Sequence, residues 1–349
     1  MNEMKPYIVV ILIQFIYTGM PIISKAALDI GLSPFVFVFY RQAFATVMLV
    51  PLSIILARKK APPLSFRLLF KMFILALIGI TLSFNLYNVA LDYTSATVAS
   101  AITNSLPVST FMFAVLLRIE ALKVKSKSGI AKVLGITLCL AGILMIAFYT
   151  GPQLNHHEPY HHSQQPTHSS RTWIKGSFLM ISASTVWSLW LTLQKILLKE
   201  YPSKLLFTTM QCMFSSIQSF IVAILFERNI AQWKLHFNMR LLAVAYSGFI
   251  VSGVSFYLQS WCIERKGPVF LSMWTPLAFV FTIIGSSFIL DNPIYLGSVL
   301  GGVFMVGGLY SVLWGKITES RISEEQCILE EEKVCNEEKE TASSPCPHV

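Results

Sequence analysis

Residues 72–91 read MFILALIGITLSFNLYNVAL, twenty positions without a charged side chain. At 1.5 Å of rise per residue, a helix of that length covers about 30 Å, the thickness of bilayer hydrocarbon. The run is not uniformly oily: Thr81, Asn85 and Asn88, with Asp92 just beyond, share one helical face. An amide facing lipid is costly, so this face is expected to meet protein or water. The segment reads as one transmembrane helix within a bundle.

Similar charge-free runs span 8–24, 42–57, 93–117, 133–155, 176–194, 205–226, 241–263, 267–290 and 293–315, making ten in all. The run 42–57 reaches spanning length when extended back past Arg41 to Pro34. Strands of a membrane barrel would alternate polar and apolar residues, and these runs do not. The sequence therefore predicts an all-α membrane protein with ten transmembrane helices. Composition agrees, since 54% of the 349 residues are hydrophobic, 13% are charged and mean hydropathy is +0.61. A soluble domain carries roughly a quarter charged residues. The net charge of +9 lies in short runs between apolar segments and forms no basic face, so no nucleic-acid partner is expected.

Basic residues near the spans orient the chain. With the amino terminus cytosolic, that side holds Lys5, five residues in 58–71, five in 118–132, three in 195–204, Arg265, Lys266, Lys316 and Arg321, eighteen altogether. The other side holds five, namely Arg171, Lys175, Arg228, Lys234 and Arg240. Both termini are expected in the cytosol.

The longest loop divides five spans from five: a first unit over 5–150, a His-rich non-cytosolic loop over 151–172, a second unit over 173–316 and an acidic cytosolic tail over 317–349. Units with an odd number of spans enter the membrane from opposite sides, which is the condition for an inverted repeat with a site between its halves. The halves also match in detail, with Asn104-Ser105-Leu106-Pro107 in the fourth run and Trp274-Thr275-Pro276-Leu277 in the ninth. Proline frees a backbone carbonyl, and a freed carbonyl is tolerated in a membrane only against protein or a wet cavity. A solute site is expected between Pro107 and Pro276; the plainer reading is a kink that shapes packing.

Further stripes comprise Gln14, Thr18 and Lys25; Thr97, Ser100 and Asn104; Trp187, Trp190 and Gln194; and Gln211, Ser215 and Gln218. Amides and aromatic rings around a cavity can hold a zwitterion, or a weak acid with a ring, without any full charge. The candidate solute-binding residues are Gln14, Arg41, Asn85, Asn88, Asn104, Pro107, Trp187, Trp190, Gln194, Gln211, Gln218, Trp274 and Pro276. The competing reading is interhelical hydrogen bonding, worth about 0.6 kcal/mol per bond on average. Arg41 could hold a carboxylate bidentately, pair with Asp29 or Asp92, or snorkel to the surface. None of the ten runs contains Asp, Glu or His. Proton relays need a titratable group deep in the bundle, so facilitated exchange without proton coupling is expected. Collapsing the proton gradient should leave that exchange intact.

His156, His157, His161, His162 and His168 lie in the long loop among Pro159 and Pro166, which suggests a linker and not a zinc site. None of the six cysteines forms a CxxC, so neither a disulfide nor a metal site is expected. The tail ends Cys346-Pro347-His348-Val349, a poor prenylation box, and carries a loose acidic-dileucine pattern at 324–329. No HExxH and no pair of aspartates within a span points to an enzyme. No cofactor is expected, and the expected partners are a small solute, the bilayer and a second copy of the chain in a homodimer.

The third and fourth runs and their flanks carry Asn85-Leu86-Tyr87, Tyr93-Thr94-Ser95-Ala96-Thr97, Asn104, Pro107, Arg118-Ile119-Glu120 and Ala131-Lys132-Val133. The second half carries Gln259-Ser260-Trp261, Lys266-Gly267-Pro268-Val269-Phe270, Leu296-Gly297-Ser298, Gly308-Leu309-Tyr310 and Leu313-Trp314-Gly315-Lys316. The sequence resembles the plant nodulin-like, walls-are-thin-related (UMAMIT) transporters of the EamA-like drug/metabolite superfamily. The likeness runs over about 5–316 and omits only the histidine loop and the tail. It implies ten spans in two EamA repeats. It also implies movement of amino acids, auxin-type indole acids or related metabolites, usually in both directions, at the plasma or vacuolar membrane. Two departures stand out: Phe84 replaces the family's common Gln before the third-span Asn, and Asp291-Asn292 stands where Glu usually precedes Leu-Gly-Ser. A carrier of purines or nucleotide sugars, or a receptor that binds without transporting, are the competing functions.

Overall fold

Residues 72–91 fall inside a helix running Phe66–Tyr93. The computed structural model describes residues 4–56, 65–93, 99, 102–120, 126–149, 151–152, 170–201, 203–235, 238–290, 296–297, 299–315, 317–319 and 321. Most of the histidine loop, most of the tail, Thr97, Ser100 and Asp291-Asn292 lie outside these residues.

Among the described residues there is no strand. Eight helices are long and apolar enough to cross a membrane: α1 (Lys5–Asp29), α2 (Pro34–Leu56), α3 (Phe66–Tyr93), α5 (Lys127–Met145), α6 (Ile174–Glu200), α7 (Lys204–Phe226), α8 (Met239–Lys266) and α10 (Val299–Glu319). Two apolar helices are shorter, α4 (Leu106–Leu116) and α9 (Pro268–Thr282). The shortness of these two has a cause in sequence. Pro107 and Pro276 each occupy the second position of a helical segment, where the missing N–H breaks no bond, and a turn precedes each. Ser105 N–H donates to Ile102 O and Val108 N–H to Ser105 O; Trp274 N–H donates to Leu271 O and Leu277 N–H to Trp274 O. The prolines start helices here and do not kink their interiors.

α3 and α8 are irregular as well. Each carries a π-helical stretch, Leu77–Leu82 in α3 and Tyr246–Val254 in α8. Such widened turns loosen the backbone ladder and cluster at functional sites. The turn from α8 into α9 is made at Gly267, whose φ of +88° disfavours a side chain, and Pro268 then opens the next helix.

α2 lies along α7; α1 contacts α8 and α9; α6 contacts α3 and α4; α2 meets the π stretch of α8 and α3 meets α7; α4 touches α9. α5 packs on α10 through glycines, for a Cβ on Gly135 would stand 2.6 Å from Gly308 O and one on Gly142 2.7 Å from Gly301 O. Small residues let membrane helices approach backbone to backbone. The largest core cluster joins Ile13, Phe84, Trp190, Phe207 and Phe256 from α1, α3, α6, α7 and α8. Exposed Leu, Ile and Phe elsewhere face outward, as a lipid-solvated chain requires.

Candidate functional site

A cavity with about 950 Å³ of empty space, its mouth included, opens between α1, α3, α4, α6, α8 and α9. The breaks described above shape it. Thr103, Asn104 and Leu106 reach the wall from the interrupted stretch before α4, and Leu271, Ser272 and Thr275 from the interruption in α9. Phe84, Trp187 and Phe279 supply apolar surface; Gln14, Tyr17, Tyr87 and Gln259 supply polar groups. No Asp, Glu, His, Lys or Arg is among the described residues that line it.

Several hydroxyls at the wall are already committed to backbone. Thr103 Oγ1 donates to Ala99 O at 2.7 Å, Ser272 Oγ to Val269 O at 3.1 Å and Thr282 Oγ1 to Ala278 O at 2.8 Å. Ser83 Oγ donates to Ala183 O at 3.2 Å. Gln259 Nε2 donates to the Tyr17 hydroxyl, joining the two halves across the cavity. The Gln14 amide makes no hydrogen bond to the described residues. Trp187 stacks on Phe84, centroids 5.2 Å apart and planes 25° apart, and packs against Trp190 at 4.5 Å. The arrangement can sandwich a flat apolar group and offer amides and a phenol to a polar end.

Of the thirteen residues singled out by sequence, Gln14, Asn104 and Trp187 reach the cavity. Trp190 lies beneath it, its Nε1 donating to Gln211 Oε1 at 3.4 Å. Gln211 Nε2 donates to Met72 O at 3.0 Å. Gln218 accepts from Thr81 Oγ1 at 2.8 Å and donates to Phe73 O at 3.0 Å. Gln194 Nε2 donates to Ser260 Oγ at 2.6 Å. These three glutamines bind α7 and α6 to their neighbours. Asn85 Nδ2 donates to Thr81 O and Asn88 Nδ2 to Phe84 O, so both amides serve the backbone of α3 around its π stretch. Pro107 and Pro276 set up the breaks without lining the cavity, and Trp274 packs beside Tyr7 and Phe270.

Arg41 departs from both plainer expectations. Asp29 pairs with Lys25, and no carboxylate pairs with Arg41 among the described residues. Nor does Arg41 snorkel, being 0% exposed. Inside α2, facing the π stretch of α8, the guanidinium has nowhere wet to go.

Sequence reasoning missed Tyr17, Tyr87 and Gln259. A signal was present: Ser83-Phe84-Asn85-Leu86 in α3 repeats as Ser255-Phe256-Tyr257-Leu258 in α8. That register sets Tyr87 and Gln259 at matching positions, and both line the cavity.

Comparison with known proteins agrees with this picture. A model described as the EamA-like transporter family matches residues 4–148 and again 174–314. A WAT1-related protein of Arabidopsis thaliana is 52% identical over 97% of this chain and 98% of its own length. Protein WALLS ARE THIN 1 of Arabidopsis thaliana is 36% identical over 92% of this chain and 86% of its own. An auxin-induced protein of Pinus taeda is 35% identical over 92% and 81%. A solved crystal structure shares the fold with a TM-score of 0.66 at 14% identity, covering 90% of this chain and 99% of the other.

Proposed function

We propose, from the premise that this chain belongs to the EamA-like transporter family as a WAT1-related, multi-pass membrane protein, that it carries amino acids or indole-type acids across its membrane by alternating access. The observation behind this reading is the cavity itself, with aromatic walls, amides from both halves and no charged side chain among the described residues at its surface. Such a lining suits a zwitterion or a ring-bearing weak acid. With no carboxylate or imidazole among the described residues that line it, the carrier equilibrates its solute in either direction.

The same reading holds that ten helices cross the bilayer in two inverted units, with both chain ends cytosolic. The repeated family match, the paired π stretches and the paired breaks before proline support it. Gln14, Asn104 and Trp187 contact solute in this scheme, while Trp190, Gln194, Gln211, Gln218, Asn85, Asn88, Pro107, Trp274 and Pro276 hold the wall in shape.

The test is counterflow of labelled amino acids and indole-3-acetate into liposomes containing the purified chain. Trp187→Ala should lower apparent affinity about tenfold, the size expected for losing one stacked ring. Solute binding without any flux would favour a receptor, and flux of purines or nucleotide sugars alone would reassign the cargo.

A further inference from the structure

Arg41 is fully buried, and its charge has no neutralising partner among the described residues. Its Nε donates to Ser252 Oγ at 2.7 Å, Nη1 approaches Met20 Sδ at 3.9 Å, and Nη2 has no hydrogen-bond partner among the described residues. Burying an uncompensated cation costs several kcal/mol, so a carrier keeps one only where it serves. Its surroundings indicate what it serves. The guanidinium carbon stands 3.9 Å above the centre of the Phe84 ring, and Phe84 belongs to the cavity wall while Arg41 does not.

We propose that Arg41 is the fixed positive charge that makes this cavity prefer solutes with a net negative charge, and that the Phe84 ring covering it sets the strength of that preference. Charge is felt far more strongly across a low-dielectric wall than through water, so contact is not required. The ring face attracts the cation, which holds the guanidinium back from the solute. The carboxylate of a small organic acid is thus the class of ligand favoured over its uncharged counterpart. Arg41 and Phe84 are specificity-determining residues in this scheme. The proposal rests on reading this cavity as the solute site.

The experiment compares phenylacetate with phenylacetamide, which share a ring and differ in charge, by calorimetric binding and by liposome counterflow with the full-length chain. The wild type should bind the acid more tightly than the amide. Arg41→Gln should lower that ratio about tenfold, the weight of one charge-assisted interaction, and Arg41→Lys should retain most of it. Phe84→Leu should raise the ratio several-fold. Thermal unfolding separates a structural role, because removing an unpaired buried cation should leave the midpoint unchanged or higher. A ratio that is flat in the wild type, or unchanged in Arg41→Gln, overturns the proposal. A ratio unchanged in Phe84→Leu overturns the covering role of the ring. Binding with the predicted ratio but no counterflow would sink the transport reading and leave the selectivity of Arg41 standing.

Discussion

A methyl group placed on Gly79 would lie 1.8 Å from Cδ1 of Trp190, a side chain only 1% exposed. Trp190 cannot retreat: Trp187 packs on it at 4.5 Å, Phe256 at 5.5 Å, and its N–H is held by Gln211. Gly79→Ala should therefore act as overpacking, lowering stability by about 1–3 kcal/mol. The unfolding midpoint in detergent checks this, and Trp190→Phe in the same chain should recover part of the loss. Thr81 makes the complementary case. Its hydroxyl joins Ser215 at 3.0 Å and Gln218 at 2.8 Å on α7. Thr81→Val keeps the shape but deprives a buried amide oxygen of its donor, at roughly 1 kcal/mol. Thr81→Ser should cost measurably less in the same melt.

At the scale of elements, the charge-free runs located the helices because hydrocarbon imposes length and apolarity directly on sequence. Where those helices break or widen was less legible. Pro107 and Pro276 marked the place, but whether a proline kinks a helix or begins one depends on the turn before it, which the flanking residues decide jointly. The polar stripes were legible as stripes and not as destinations. Gln14 faces the cavity while Gln211 and Gln218 face α3, and only packing distinguishes a wall from a seam. The seam between α5 and α10 offers a clean separation of stability from binding. A Cβ on Gly308 would sit 2.5 Å from Gly135 O and 2.6 Å from Cys139 Sγ, and neither helix lines the cavity. Gly308→Val should lower the unfolding midpoint by several degrees, while the affinity of folded protein for solute stays within twofold of wild type. A large affinity change would mean that α5 and α10 shape the site after all.

Among the described residues, the larger helix contacts recur when each helix of the first five is exchanged for its counterpart among the second five. Contact of α1 with α8 and α9 becomes contact of α6 with α3 and α4, and α2 on α8 becomes α7 on α3. The α2–α7, α4–α9 and α5–α10 pairs turn into themselves. An aromatic plug joins the start of α1 to the start of α9. Tyr7 packs edge-on against Phe270 at 5.4 Å and Trp274 at 6.2 Å, with Lys266 Nζ 6.0 Å from the Tyr7 ring. One residue from each half of the plug must separate before solute can leave past α1 and α9 on that side, if the two units rock about the cavity between them. Bridging Tyr7→Cys to Phe270→Cys with a short bifunctional thiol reagent should thus abolish counterflow while calorimetric binding survives. Each single cysteine, given the same reagent, should keep most of its flux. Undiminished exchange in the bridged protein would mean that solute passes without this plug opening, and rocking of the halves would have to be abandoned.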